Sequence, residues 1–315
     1  MNLKHIKELH LEPTSVCNAA CPQCPRTFGD LPNPFLRINE LTIADVKRIF
    51  PVEFVQQLDK MFMCGNYGDP AAARDAVKIF EYFKSNNNDI VLGMNTNGSL
   101  RTTEFWKDVA QIQTGIYDYV VWSIDGLEDT NHIYRRNTIW SKIMHNLSAY
   151  IDAGGSAHWD MLVFPHNAHQ VDAAIDLAKE LGCTWFRSKQ TVRPVHESTP
   201  WLTTFPVEVR DYNNATTSCQ ALNEQSVYVS STGEWFPCCY IASYADVGTK
   251  KGITLSDDYP VDNRTIDLYN THFVRTVFGS FNSSTQYPVC TESCSTCPNG
   301  KSVAKSQWKN EIQLR

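Results

Sequence analysis

The sequence contains no long hydrophobic run. Its first residues, MNLKHIKELHLEP, lack the roughly seven consecutive apolar residues of a secretion signal, and no later stretch approaches the about eighteen of a membrane-spanning helix. The expectation is a cytoplasmic protein with no membrane association. There is no block of like charge either: 28 Lys and Arg are interspersed with 34 Asp and Glu, for a net charge of −6. That argues against a surface that tracks nucleic-acid phosphates and favours a peptide, sugar or small metabolite as substrate. No internal repeat and no low-complexity tract beyond SNNND at 85–89 is present, which leaves a folded chain of 315 residues able to bury a large core.

Cysteine, by contrast, is plentiful and clustered, with 11 in all. In a reducing compartment an odd, clustered set reads as metal ligands before it reads as disulfides. Cys64 and Cys183 stand apart, each in or beside an apolar run, and read as buried structural thiols.

Short β-rich runs alternate with helical patterns from residue 5 onward. The strand candidates are 5–13, 60–65, 90–98, 119–126, 158–167 and 184–192. Helices are expected at 42–50, opened by a capping Thr, at 71–84 after Pro70, and at 170–182, where Gly182 is a stop. The alternation predicts an α/β fold, a parallel sheet with helical crossovers, open or curled into a partial barrel. Chemistry in such sheets collects at the C-terminal ends of the strands. CNAACPQC, CGNYGDP, NTNG, SIDG and PHN stand there, at the ends of the first five strand candidates.

Beyond about residue 193 periodicity fades into PVHESTPWLTTFPVE. The expected organisation is a core domain over 1–195, a linker over 196–214 and a cysteine-rich module over 215–315. In the module, QSVYVSSTGEWFPCC reads as a hairpin turning at Ser231-Thr232-Gly233, with Cys238 and Cys239 ending its second strand.

Cys17, Cys21 and Cys24 place three thiols in eight residues. Four thiolates usually hold a four-iron cluster, and three leave one iron open to another ligand. Zinc competes for such sets, but no His or further Cys occurs in the twenty residues after Cys24, and the spacing is unusual for a zinc knuckle.

This C-x3-C-x2-C run after a first strand resembles the cluster-binding signature of the radical S-adenosylmethionine (radical SAM) superfamily. The resemblance spans about residues 8 to 300 and implies a partial (βα)6 TIM-like barrel. It also implies a 4Fe-4S cluster whose open iron chelates SAM, and reductive SAM cleavage to a 5′-deoxyadenosyl radical that takes hydrogen from the substrate. By the same resemblance Gly68 and Asp69, with Pro70, receive the SAM amino group, Asp69 standing where Glu is commoner. Thr96 and Ser123 are similar to positions touching ribose or methionine. Arg135 is similar to an arginine meeting the SAM carboxylate, with Arg136 the close alternative, and Asn167 is a weaker candidate for the cofactor. Gln23 departs from the aromatic residue often found before the third cysteine.

Cys219, Gly233 and Cys238 resemble the start of the SPASM or twitch extension, a small cysteine-rich module. Cys294 and Cys297 complete a four-ligand set for one auxiliary Fe-S cluster, of the 4Fe-4S kind, with Cys239 and Cys290 as spares. Trp235 and Phe236 would shield that cluster. The implied partners are a peptide or small-molecule substrate and an electron donor such as flavodoxin or ferredoxin. No catalytic acid, base or glycyl radical motif is evident, and Lys189 and Arg193 are candidate substrate contacts weighed against solvated charge. A non-enzymatic iron–sulfur electron carrier would explain the cysteines but not Asp69, Ser123 and Arg135; a zinc-stabilised binding protein would explain less.

Overall fold

The computed structural model describes residues 6–28, 31–34, 36–191, 193, 195, 199–205, 216–246, 290, 293–296 and 310–315. Six strands stand in parallel in one sheet: β1 (Glu8–Leu11), β2 (Lys60–Met63), β3 (Val91–Thr96), β4 (Tyr119–Ser123), β5 (Ala157–Val163) and β6 (Trp185–Gln190), with a seventh from later in the chain described below. They lie side by side in chain order. Parallel neighbours need crossovers, and helices Ile43–Ile49, Ala76–Asn86, Thr103–Ile112, Trp140–Asp152 and Val171–Leu181 supply them. This is the parallel α/β architecture of the radical SAM partial barrel that the sequence implied.

Local chemistry sets the helix ends. Thr42 accepts the N–H of Asp45 at 3.2 Å while the Asp45 carboxylate takes the N–H of Thr42 at 3.1 Å, a reciprocal capping box. Gly182, at φ 86°, ends the fifth crossover in the left-handed conformation. The helix expected over 71–84 begins only at Ala76, because residues Pro70–Ala72 form a 3₁₀ turn instead. The Arg101 guanidinium draws the carbonyls of Ala71 and Ala73 toward itself, each at 2.6 Å, and so takes them out of a helical ladder.

The two faces of the sheet differ as period-two alternation requires. Leu9, Leu11, Met61, Met63, Leu92, Met94, Trp122, Trp159 and Phe186 point toward the helices and are fully buried in the main core. The opposite, inner face carries polar pairs: Glu8 with Lys60 at 3.2 Å, Tyr119 stacked on His158, and Arg187 bidentate on Asp160 at 2.7 Å for each bond.

The hairpin expected in the cysteine-rich module is present, as β7 (Ser226–Val229) and β8 (Trp235–Phe236). It is not a separate sheet. β7 pairs in parallel with β1, and β9 (Asn310–Gln313) pairs antiparallel with β6, so one nine-stranded sheet runs β8-β7-β1-β2-β3-β4-β5-β6-β9. Both edges of the parallel sheet are thereby covered, which removes rows of unpaired backbone groups. Among the described residues no helix is long and apolar enough to cross a membrane.

Candidate active site

The loop after β1 carries Cys17, Cys21 and Cys24, and it is fixed from several sides. Thr27 closes it by donating its hydroxyl to the Cys21 carbonyl at 2.7 Å and the Cys24 carbonyl at 3.0 Å. Ala20 donates its N–H to the carbonyl of Arg136 at 3.0 Å. Gln23, the departure from an aromatic residue, bridges the loop to the end of β6: its amide donates to the Arg193 carbonyl at 2.6 Å and accepts from the Thr191 hydroxyl at 3.1 Å. Arg193 in turn donates to the Gln23 carbonyl at 3.1 Å, so this candidate substrate contact helps hold the loop.

Donors aim at two of the three sulfurs. The Ala19 N–H lies 3.3 Å and the Asn97 Nδ2 lies 3.6 Å from Cys17 Sγ, and Arg135 Nη1 lies 3.8 Å from Cys21 Sγ. Ala19, Tyr134, Phe164 and Leu202 pack around the loop as a small apolar cluster of their own. Burial pushes the Cys17 thiol up to about 12, with the Asp69 charge adding to it, and the Cys21 thiol up to about 11 against the pull of Arg135. Thiols so placed ionise when a metal takes their charge. Three thiols on one loop, N–H donors on their sulfurs and an apolar surround fit a cluster in which each thiolate takes its own iron. Among the described residues no three His, Cys, Asp or Glu side chains converge to hold a single ion.

The second strand-end loop lies directly on the first. A Cβ on Gly68 would fall inside the Thr14 carbonyl, and one on Gly65 would meet the Gly68 carbonyl, so glycine is required at both places by close backbone approach. Glu12, which the sequence reading passed over, is the bracket. Fully buried, it accepts the N–H groups of Tyr67 at 2.7 Å and Gly68 at 3.0 Å, together with the Tyr228 hydroxyl from β7. Its only sequence signal is a carboxylate placed where a strand enters its loop.

Asp69 joins this loop to the end of β3. Its carboxylate accepts from the Thr96 hydroxyl at 3.0 Å, the Asn97 N–H at 2.7 Å and the Ala71 N–H at 3.0 Å. Burial raises its pKa against those hydrogen bonds. Gly68, Asp69 and Thr96 are thus brought together beside Cys17.

Arg135 is held by Asp125 of SIDG, Nε to Oδ2 at 2.6 Å, and faces Cys21. Burial raises Asp125 while Arg135 pulls it down. Arg136, the alternative, turns away and lies over the Trp201 ring at 5.4 Å. Ser123 ends β4 on the same face as Asp160, its register partner in β5. Asn167 is fully buried and holds a turn, donating to the carbonyls of Asp125 and Leu162 and accepting the Phe164 N–H.

Cys219 and Cys294 flank one short ladder. Thr216–Thr217 pairs antiparallel with Ser295–Thr296, and Ser218 donates to the Cys294 carbonyl at 2.8 Å. Burial raises the Cys238 and Cys290 thiols, and each is raised further by Cys219 and Cys294, so these four thiols share one neighbourhood. Cys297 lies outside the described residues. Cys64 sits half-buried just after β2, where burial pushes its thiol up to about 12, and Asn66 in the same loop donates to the Cys239 carbonyl at 2.8 Å. Trp235, expected to shield a second cluster, packs instead on Phe50 and Phe54 at 5.5 and 5.4 Å, since strand alternation turns it toward the helices.

The profile of the Radical SAM superfamily matches residues 11–183, more than half of the chain. The chain belongs to the radical SAM superfamily. That membership makes it an enzyme with a 4Fe-4S cluster and S-adenosylmethionine as cofactors. No curated protein sequence matches the chain. Among solved structures, polyhistidine-tagged anSMEcpe with bound AdoMet is similar at TM-score 0.62 and 14% identity, over 98% of this chain and 93% of that one. SuiB of Streptococcus suis bound to its precursor peptide SuiA is similar at TM-score 0.59 and 13% identity, over 89% of this chain and 68% of that one. For another SuiB structure the alignment takes in only 61% of that chain, at TM-score 0.51 and 14% identity over 75% of this one. At these identities the likeness to these radical SAM proteins is one of fold.

Proposed function

We propose that this radical SAM enzyme abstracts hydrogen from a peptide or small-molecule substrate, and that an auxiliary Fe-S cluster assists the oxidation or bond formation that follows. The observation that carries the reading is the junction of Cys17, Gly68, Asp69, Thr96 and Asn97, where the cluster loop and the cofactor loops interlock. When bound, the reduced cluster and SAM supply the 5′-deoxyadenosyl radical.

The chain's own residues have separate tasks. Cys17, Cys21 and Cys24 hold the cluster. Gly68 and Asp69 receive the SAM ammonium, which joins the donors already on the Asp69 carboxylate. Thr96 and Ser123 meet the ribose or methionine part, and Arg135, oriented by Asp125, meets the SAM carboxylate. Orientation and exclusion of water are the protein's main contributions to such chemistry. Cys219, Cys238, Cys294 and Cys297 hold the auxiliary cluster, with Cys239 and Cys290 as the replacements.

The inner face of β5 and β6 suits a polar substrate. Arg187 grips Asp160, whose carboxyl burial pushes up to about 6, and burial lowers Lys189 beside them. Two structures with this fold were solved with peptides, SuiB with SuiA and anSMEcpe with the Kp18Cys peptide, which supports a peptide among the candidates. Electrons come from a donor such as flavodoxin or ferredoxin.

Anaerobic purification, iron and sulfide analysis, and addition of SAM with reductant test the reading. Formation of 5′-deoxyadenosine supports it, and transfer of deuterium from a labelled substrate into deoxyadenosine identifies that substrate. Bound zinc without SAM cleavage, or iron without cleavage, overturns it.

A further inference from the structure

Asn97 is the second asparagine of NTNG, and the roles given above to Thr96 and Asp69 leave its side chain unassigned. It is 4% exposed, and its main-chain N–H and both polar atoms of its side chain are engaged. The main-chain N–H goes to Asp69 at 2.7 Å, Oδ1 accepts the Ser99 N–H at 2.9 Å, and Nδ2 donates to Asn18 Oδ1 at 2.9 Å and to Cys17 Sγ at 3.6 Å. The orientation of the amide follows from chemistry. Ser99 offers an N–H, so the atom it meets must be oxygen, and the nitrogen therefore faces Cys17.

We propose that Asn97 sets the reduction potential of the cluster held by Cys17, Cys21 and Cys24, by donating an Nδ2 hydrogen to the Cys17 thiolate. The inference rests on the cluster reading of that loop. When a cluster gains an electron its thiolates carry more negative charge, so an N–H dipole on sulfur stabilises the reduced form more than the oxidised one and raises the potential. Burial in a weakly polar surround strengthens that dipole.

Three donors reach these sulfurs, and Asn97 is the one that can be tested alone. The Ala19 donor is main chain and survives every substitution but proline. Arg135 is tied to Asp125 and to the SAM carboxylate. Asn97 also links Asp69 to Cys17 through a single residue, its main chain to the one and its side chain to the other. The residue therefore fixes how far the cofactor loop stands from the cluster loop.

The test is an anaerobic, EPR-monitored redox titration of the reconstituted full chain. Asn97→Asp keeps the size, replaces the donor by a carboxylate beside Cys17, and should lower the midpoint potential; Asn97→Leu should lower it less. Dithionite-driven SAM cleavage should slow in the same order. An unchanged potential in both variants at full iron content overturns the proposal. A second measurement needs no variant: wild-type protein carrying asparagine labelled with 15N at the side-chain amide should show a weak 15N coupling to the reduced cluster. Absence of that coupling overturns the proposal even if the variants fail to fold. A wild type that takes up no four-iron cluster overturns the cluster reading itself, and this proposal with it.

Discussion

Glu12 accepts the main-chain N–H of Tyr67 at 2.7 Å. The same carboxylate accepts from Gly68 and from the Tyr228 hydroxyl, so one fully buried side chain ties the end of β1 to the loop after β2 and to the hairpin that covers the edge of the sheet. Removing it takes one acceptor from the Tyr67 and Gly68 N–H groups and from the Tyr228 hydroxyl. Glu12→Ala should destabilise the apoprotein by about 3–5 kcal/mol, and Glu12→Gln, which keeps one acceptor oxygen, by clearly less. Denaturant unfolding of the three proteins measures this, and equal midpoints would remove Glu12 from its bracketing role.

Gly68 has no room for a side chain, because a Cβ would enter the Thr14 carbonyl and touch the Ser15 main chain. Gly68→Ala must push the loop after β2 off the loop after β1. SAM binding should weaken about tenfold or more, equivalent to ~1.4 kcal/mol or above, while the three cysteines still hold iron. Equilibrium dialysis with labelled SAM decides it; wild-type affinity would show that the loop does not carry the cofactor.

The two groups of cysteines separate by substitution. Cys24→Ala should abolish SAM cleavage. Cys238→Ala should lower bound iron by about half, keep SAM cleavage measurable and stop product formation. Iron assay, chromatography of deoxyadenosine and mass spectrometry of the substrate read the three quantities in turn. Unchanged iron in Cys238→Ala would remove the auxiliary cluster.

Acid should destabilise the apoprotein in a defined window. Burial holds His10 and His158 at about 4, below the ordinary 6.5, so the unfolded chain binds more protons between those values and stability falls as pH drops from about 6.5 to 4. Asp160 acts oppositely. Raised from 3.8 to about 6, it keeps its proton longer in the folded state, and its contribution falls as pH rises through that range. Asp160→Asn removes the opposing slope, so its stability should climb more steeply with pH between about 4 and 6 than that of the wild type. Urea unfolding at several pH values would reject this if the two slopes coincide.

Much of the scaffold was legible because its causes are local. Apolar periodicity marked the six strands β1 to β6, and Thr42 and Gly182 marked helix ends. The late start of the helix after Pro70 was not legible, since Arg101 intervenes from 30 positions beyond Ala71. Trp235 was misplaced for a related reason, because being beside Cys238 in sequence does not fix which face of a strand it occupies.

By itself the sequence determined the order of the strands, the residues at their C-terminal ends and the three-thiol motif, all of which depend on backbone preferences and spacing within a few residues. Tertiary structure alone decided that β7 would cover the edge at β1, that Glu12 would gather donors from positions 67, 68 and 228, and that Asn97 would reach Cys17 across 80 positions. Such contacts cost the entropy of closing long loops, and only a packed sheet that buries its polar brackets offsets that loss.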